Sequence, residues 1–204
     1  MTKIKLCGLR RIEDIEAANL LMPDYIGFVF AKKSKRYISP EEASVLKSKL
    51  DKRIKAVGVF VNEEKEIVAS FLNNGIIDIA QLHGSEDERY IADIRKLSDK
   101  PVFQAFKIGT VENLLKAQSS GADHILLDAG AGDGQTFDWD ILKDFTRPYF
   151  LAGGLDPENV VDAIRKLQPF GVDVSSGIET DGYKDFLKMK AFVETVRSIT
   201  GTVL

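Results

Sequence analysis

Two residues in this sequence have the chemistry to move protons and sit where a strand would hold them still. Cys7, the only cysteine, ends the run "KIKLC", and Asp128 ends "HILLD". Side chains alternate along a strand, so Lys3, Lys5 and Cys7 share one face and Ile4 and Leu6 the other. With the aliphatic pair turned toward helices, Cys7 points into the sheet's interior, with Lys5 one layer below. A lysine beside a thiol favours the thiolate, a base or nucleophile. The plainer alternative is a small hydrophobe filling a gap. Along "HILLDA", Ile125 and Leu127 face one way, and His124, Leu126 and Asp128 the other. Asp128 so placed can give or take a proton at a substrate, or simply cap a loop or pair with Lys5.

Four further stretches can bind rather than react. "LAGGL" brings Gly153 and Gly154 to a strand end, where glycine lets backbone approach a ligand closely. "VDVSSGIE" brings Asp173, Ser175 and Ser176, and the serines are placed to open a short helix whose N–H groups face an anion. "AKKSKRYIS" is a basic loop, solvated as a whole, or offering Arg36 as a fork for a carboxylate. "QLHG" puts Gln81 and His83 on one face, as site residues or as hydrogen-bonded scaffolding. Two distant histidines and one cysteine make no metal-ligand spacing, and no phosphate-binding G-x-x-x-x-G-K-[ST] loop is present.

These residues need elements to hold them. Eight short apolar runs recur, at 4–8, 25–30, 54–61, 77–84, 101–106, 124–129, 148–154 and 170–177, each followed by a helix-sized segment. Helices are expected over 39–50, with Ser39 as cap and Pro40 in the first turn, over 62–75, from Asn62 to Gly75, and over 156–167, behind an Asp-Pro opening. Strict alternation predicts a parallel sheet with helices outside. Eight repeats predict an α/β fold with a closed eight-stranded sheet, a single (β/α)8 TIM barrel over residues 1–204, ahead of an open doubly wound sheet. In such a barrel the reactive groups stand at the carboxyl ends of the strands, and phosphate sites recur after strands 7 and 8.

The composition agrees with this class. Of 204 residues, 44% are hydrophobic and 29% charged, and the net charge of −3 argues against a nucleic-acid partner. A lone cysteine excludes an internal disulfide and fits a reducing, cytoplasmic setting. The opening "MTKIKLCG" reads as a strand and not as a signal peptide, and no apolar run is long enough for a membrane.

Taken in order, "KLCGLR", "GFVFAKKSKRYIS", "GVFVN", "QLHG", "LLDA", "TFDW", "LAGGLDPENV", "GVDVSSGIE" and "KD" resemble the phosphoribosylanthranilate isomerases of tryptophan biosynthesis over essentially the whole chain. The resemblance implies an Amadori rearrangement of an aminoaldose phosphate to a deoxyketose. It implies Asp128 as general acid at the ribose ring oxygen and Cys7 as general base at C2. It implies Arg36 on the anthranilate carboxylate, Gly153, Gly154, Ser175 and Ser176 on the phosphate, and Asp173 in the substrate-facing polar set. No cofactor is implied, because the iminium formed in the substrate is the electron sink. The partner is a small phosphosugar–anthranilate molecule, and the chain is expected as a monomer or homodimer. A histidine-pathway isomerase of similar chemistry would need aspartates ending strands 1 and 5, where Cys7 and "FQAFKIG" stand. A catalytically dead scaffold barrel would have lost Cys7 or Asp128. One departure is the loop "GAGDGQTFDW", where Asp133 and Gln135 interrupt the family's "GGTG"-like run.

Overall fold

In a computed structural model, which describes residues 1–130, 142 and 145–200, eight parallel strands close on themselves. They are β1 (Lys3–Cys7), β2 (Tyr25–Val29), β3 (Lys55–Phe60), β4 (Ile79–Leu82), β5 (Val102–Lys107), β6 (His124–Asp128), β7 (Tyr149–Ala152) and β8 (Gly171–Val174). Each pairs with its successor, and β8 pairs with β1, placing Lys5 opposite Asp173. Helices α1 (Ile12–Leu21), α2 (Pro40–Lys49), α3 (Lys65–Asn73), α4 (Glu88–Leu97) and α5 (Val111–Ser119) follow the first five strands. α6 (Val160–Leu167) follows β7, and α7 (Phe186–Thr200) comes after β8. The segment after β6, with Asp133 and Gln135, lies outside the described residues. Among the described residues, no helix is long and apolar enough to cross a membrane.

The outward faces of the strands and the inward faces of the helices build the larger core, including Ile4, Leu6, Ile26, Phe28, Leu82 and Val174. The barrel interior is a second cluster, of Val57, Ile79, Phe103, Ala105, Leu126, Phe150 and Ala152. Its amino-terminal end is plugged by aromatic edges: Tyr25 meets Phe103 and Phe150 at ring-centroid distances of 5.8 and 5.5 Å. His124 belongs to this plug, stacked on Phe170.

The same end carries a repeated staple. Aspartates just before β2, β4 and β6 accept from backbone N–H groups at the start of the preceding strand. Asp24 accepts from Ile4, Asp78 from Ala56 and Asp123 from Val102, at 3.0, 2.8 and 2.8 Å. Each carboxylate is also paired with a cation: Lys3, Lys47 and Arg95 respectively.

Helix starts follow the sequence signals where the side chain is free to cap. Ser39 and Glu42 form a reciprocal capping box, with Pro40 in the first turn of α2. Gly75 stops α3 with φ +71°. Asn62, expected to open α3, does not: the helix begins at Lys65. The Asn62 carboxamide oxygen instead accepts from the N–H and hydroxyl of Ser85, tying the loop after β3 to the loop after β4. Asp156 likewise caps a turn at Glu158 and Asn159, and α6 starts only at Val160.

After β8 comes one 3-10 turn, Ser176–Ile178, and then a two-stranded ribbon, β9 (Glu179–Thr180) and β10 (Tyr183–Lys184). The ribbon turns on Asp181 and Gly182, both at positive φ, as a two-residue hairpin of Asp-Gly type requires.

Candidate active site

At the carboxyl end of the barrel lies a cavity of about 380 Å³. Its lining includes all ten residues singled out from the sequence: Cys7, Arg36, Gln81, His83, Asp128, Gly153, Gly154, Asp173, Ser175 and Ser176. They come from six of the eight strands and the loops that follow them. Strand alternation delivers them, because an inward residue at the last position of a strand stands above the packed layers and below the loops.

Cys7 packs with Val29 and Val59 near the top of the barrel and is 7% exposed. Gly27 beside it makes the room. A Cβ there would stand 2.6 Å from the Cys7 sulfur, so β2 needs a residue without one. Below lies Lys5, fully buried, donating to Asp173 Oδ1 at 2.8 Å. The alternative of Lys5 paired with Asp128 is thus excluded: its partner is Asp173.

Asp128 is held from two sides. Its Oδ2 lies 3.4 Å from His83 Nε2, and its Oδ1 accepts from the Gly130 N–H at 2.9 Å. His83 in turn stands 3.4 Å from the Gln81 amide nitrogen. The Gln81 carbonyl oxygen is buried and has no hydrogen-bond partner among the described residues. Gly153 leans over the acid at φ +92°, and a Cβ there would meet Asp128 Oδ1 at 2.5 Å.

The electrostatics invert the simplest expectation. Burial pushes the Cys7 thiol up, and Lys5 and Lys184, which favour the thiolate, do not outweigh it. Burial would push Asp128 up too, but the hydrogen bonds from His83 and Gly130 hold it below the usual carboxylate range. The free site therefore rests as thiol and carboxylate.

Arg36 reaches the cavity from the loop after β2, and its fork already holds a carboxylate. Its Nε and Nη2 donate to Glu179 at 2.6 and 2.7 Å. Glu179 also accepts from Lys184 at 2.7 Å, and Lys184 donates to the Ser175 carbonyl oxygen at 2.9 Å. The Ser175 hydroxyl donates to the Cys7 carbonyl oxygen at 3.1 Å, which joins the ribbon to the thiol's own strand. Glu179 and Lys184 were given no role from the sequence. The Asp-Gly pair in "ETDGYK" was the signal for the hairpin that carries them.

A closed parallel barrel with an acid, a thiol and a cationic fork around one polar cavity at its carboxyl end defines a (β/α)8 enzyme of small polar substrates. Residues 4–195 match the family model described as N-(5'phosphoribosyl)anthranilate (PRA) isomerase. The N-(5'-phosphoribosyl)anthranilate isomerase of Thermoanaerobacter sp. (strain X514) is 48% identical over 206 residues, covering 98% of this chain and all of that one. A crystal structure of phosphoribosyl anthranilate isomerase in complex with reduced 1-(o-carboxyphenylamino)-1-deoxyribulose 5-phosphate superposes with a TM-score of 0.85. It is 36% identical, over 97% of this chain and 100% of that one. Monomers of the dimeric Thermotoga maritima phosphoribosylanthranilate isomerase give 0.86 at 37% identity, over 97% and 100%. The chain belongs to the N-(5'-phosphoribosyl)anthranilate isomerase family, and it is an isomerase of tryptophan biosynthesis.

Proposed function

We propose that the chain converts N-(5'-phosphoribosyl)anthranilate to 1-(2-carboxyphenylamino)-1-deoxyribulose 5-phosphate by general acid–base catalysis between Asp128 and Cys7. The observation that carries this is the placement of the two groups on separate strands, β6 and β1, around one cavity. Asp128 gives its proton to the ribose ring oxygen as the C1–oxygen bond breaks, and the anthranilate nitrogen's lone pair forms the C1=N bond. Cys7 thiolate then takes the proton from C2, and the C2–H electrons fall into the C1=C2 bond as the nitrogen regains its pair. The enolamine takes a proton at C1 and loses one from the C2 hydroxyl, giving the ketone.

This sequence leaves Asp128 ionised and Cys7 protonated, which is the resting state that the site's electrostatics favour. Exchange with solvent must invert the pair before each turnover, so the enzyme works from a minority population. The Gln81 carbonyl oxygen, buried without a partner among the described residues, supplies an acceptor for a ribose hydroxyl. Arg36 keeps its Nη1 without a hydrogen-bond partner among the described residues and turns it to the anthranilate carboxylate. Gly153, Gly154, Ser175 and Ser176, which line the same cavity, take the phosphate, and Asp173 completes the polar set.

The partner in this reading is a small phosphosugar–anthranilate molecule. Size-exclusion chromatography with light scattering separates a monomer from a homodimer, and fractionation of the producing cells checks the cytoplasmic assignment. The central test follows loss of anthranilate fluorescence with the wild type, Cys7→Ala and Asp128→Asn. Both variants should stay folded and lose about 10²- to 10⁴-fold in kcat. A folded variant that keeps most of its rate removes that residue from the mechanism.

A further inference from the structure

Arg36 is a long side chain on a loop, and a guanidinium recognises a carboxylate well only if its plane is fixed. In this structure the plane is fixed by one residue. Glu179 engages the Nε–Nη2 side of the guanidinium with both carboxylate oxygens, at 2.6 and 2.7 Å. That leaves the Nη1–Nη2 end as the edge that can still grip two oxygens at once. Glu179 is itself immobilised. Its side chain is 7% exposed, and Lys184, 2% exposed, donates to the same Oε1 at 2.7 Å. Lys184 is pinned in turn by the Ser175 carbonyl oxygen. Burial would raise the Glu179 carboxyl, but Arg36 and Lys184 together hold it at about 2.

The charge count has a consequence. Two cations share one carboxylate, while the neighbouring Lys5 has Asp173 to itself. The ribbon end of the cavity therefore carries one positive charge beyond its own pairing, suited to an incoming anion.

We propose that Glu179, braced by Lys184, is a positioning residue that presents the free edge of Arg36 to the carboxylate on the substrate's aromatic ring. This rests on the reading that Arg36 takes that carboxylate. It gives the β9–β10 ribbon a function: it carries a brace for the substrate-selecting arginine, and it does not touch substrate.

The test compares two ligands by calorimetry: reduced 1-(o-carboxyphenylamino)-1-deoxyribulose 5-phosphate, and the same compound without the ring carboxylate. Their affinity ratio reads carboxylate recognition and is blind to general loosening of the site. Wild type should prefer the carboxylate form, and Arg36→Ala should abolish the preference. Glu179→Gln should cut the ratio roughly tenfold, and raise KM for substrate with kcat nearly unchanged. If Arg36→Ala keeps the ratio, the Arg36 reading fails and takes the proposal with it. If Arg36→Ala loses the ratio while Glu179→Gln keeps or increases it, only the proposal is overturned, and Glu179 is then a competitor for Arg36. Should Glu179→Gln not accumulate as folded protein, Glu179→Asp carries the same readout. It keeps the charge but draws the carboxylate back from Arg36 and Lys184 alike, and an unchanged ratio there equally overturns the proposal.

Discussion

In the proposed mechanism, a general base that is mostly a thiol and a general acid that is mostly a carboxylate still give a definite pH dependence. The competent form needs thiolate and carboxylic acid together. Each unit of falling pH gains tenfold in acid and loses tenfold in thiolate, so between the two pKa values the population is flat. Below the Asp128 value only the loss remains, and above the Cys7 value only the loss of acid remains. Since Asp128 is lowered from 3.8 and Cys7 raised from 9.0, kcat/KM should stay level from about pH 4 to about pH 9. A narrow bell centred near neutrality would show that the two groups titrate close together there, against a lowered Asp128 and a raised Cys7. The Lys5–Asp173 pair is the second residue-scale test. Lys5→Met leaves a buried aspartate without its cation and should cost about 3–5 kcal/mol in urea unfolding. Lys5→Met/Asp173→Leu should recover most of it. The single variant should also move the thiol's titration further up, and an unmoved thiol would free Lys5 of any part in the chemistry.

At the scale of the elements, what was legible in the sequence is what periodicity encodes. The eight runs, their order and the inward positions of Cys7, Lys5 and Asp128 follow from alternation and from strict β–α succession, and all are found as expected. Helix starts were legible at Ser39, where the cap is local, and illegible at Asn62, where the side chain was claimed by Ser85 on the next loop. Long-range competition of that kind leaves no trace in spacing. The same holds for Arg36. Its fork was readable from residue type, but Glu179, 143 positions away, was not readable as its partner. The strand β2 supplies a test of how far an element positions chemistry. Gly27→Ala would put a methyl group against the Cys7 sulfur. It should lower kcat by roughly tenfold or more, since misplacing a reacting group by about an ångström has such effects. A wild-type rate in Gly27→Ala would mean that the thiol has room to move and that β2 sets nothing at the site.

Over the whole molecule, stability devices and chemistry occupy opposite ends of the barrel. The aromatic plug and the staples of Asp24, Asp78 and Asp123 stand at the amino-terminal end, and the ten cavity residues at the other. Asp78→Ala removes the acceptor for the Ala56 N–H and the partner of Lys47, so it should cost about 1–3 kcal/mol. Its kcat at a temperature where it is folded should match the wild type, and a fall in kcat without a fall in stability would contradict this separation. The burial of Cys7 has a consequence of another kind. Peroxide and disulfides react with thiolates, and this thiol is kept protonated and nearly covered by the walls of its barrel. An enzyme working through Cys7, as proposed, is thereby sheltered from oxidative inactivation whenever its cavity is idle. Its exposure to oxidants should track the brief intervals in which the proton has left.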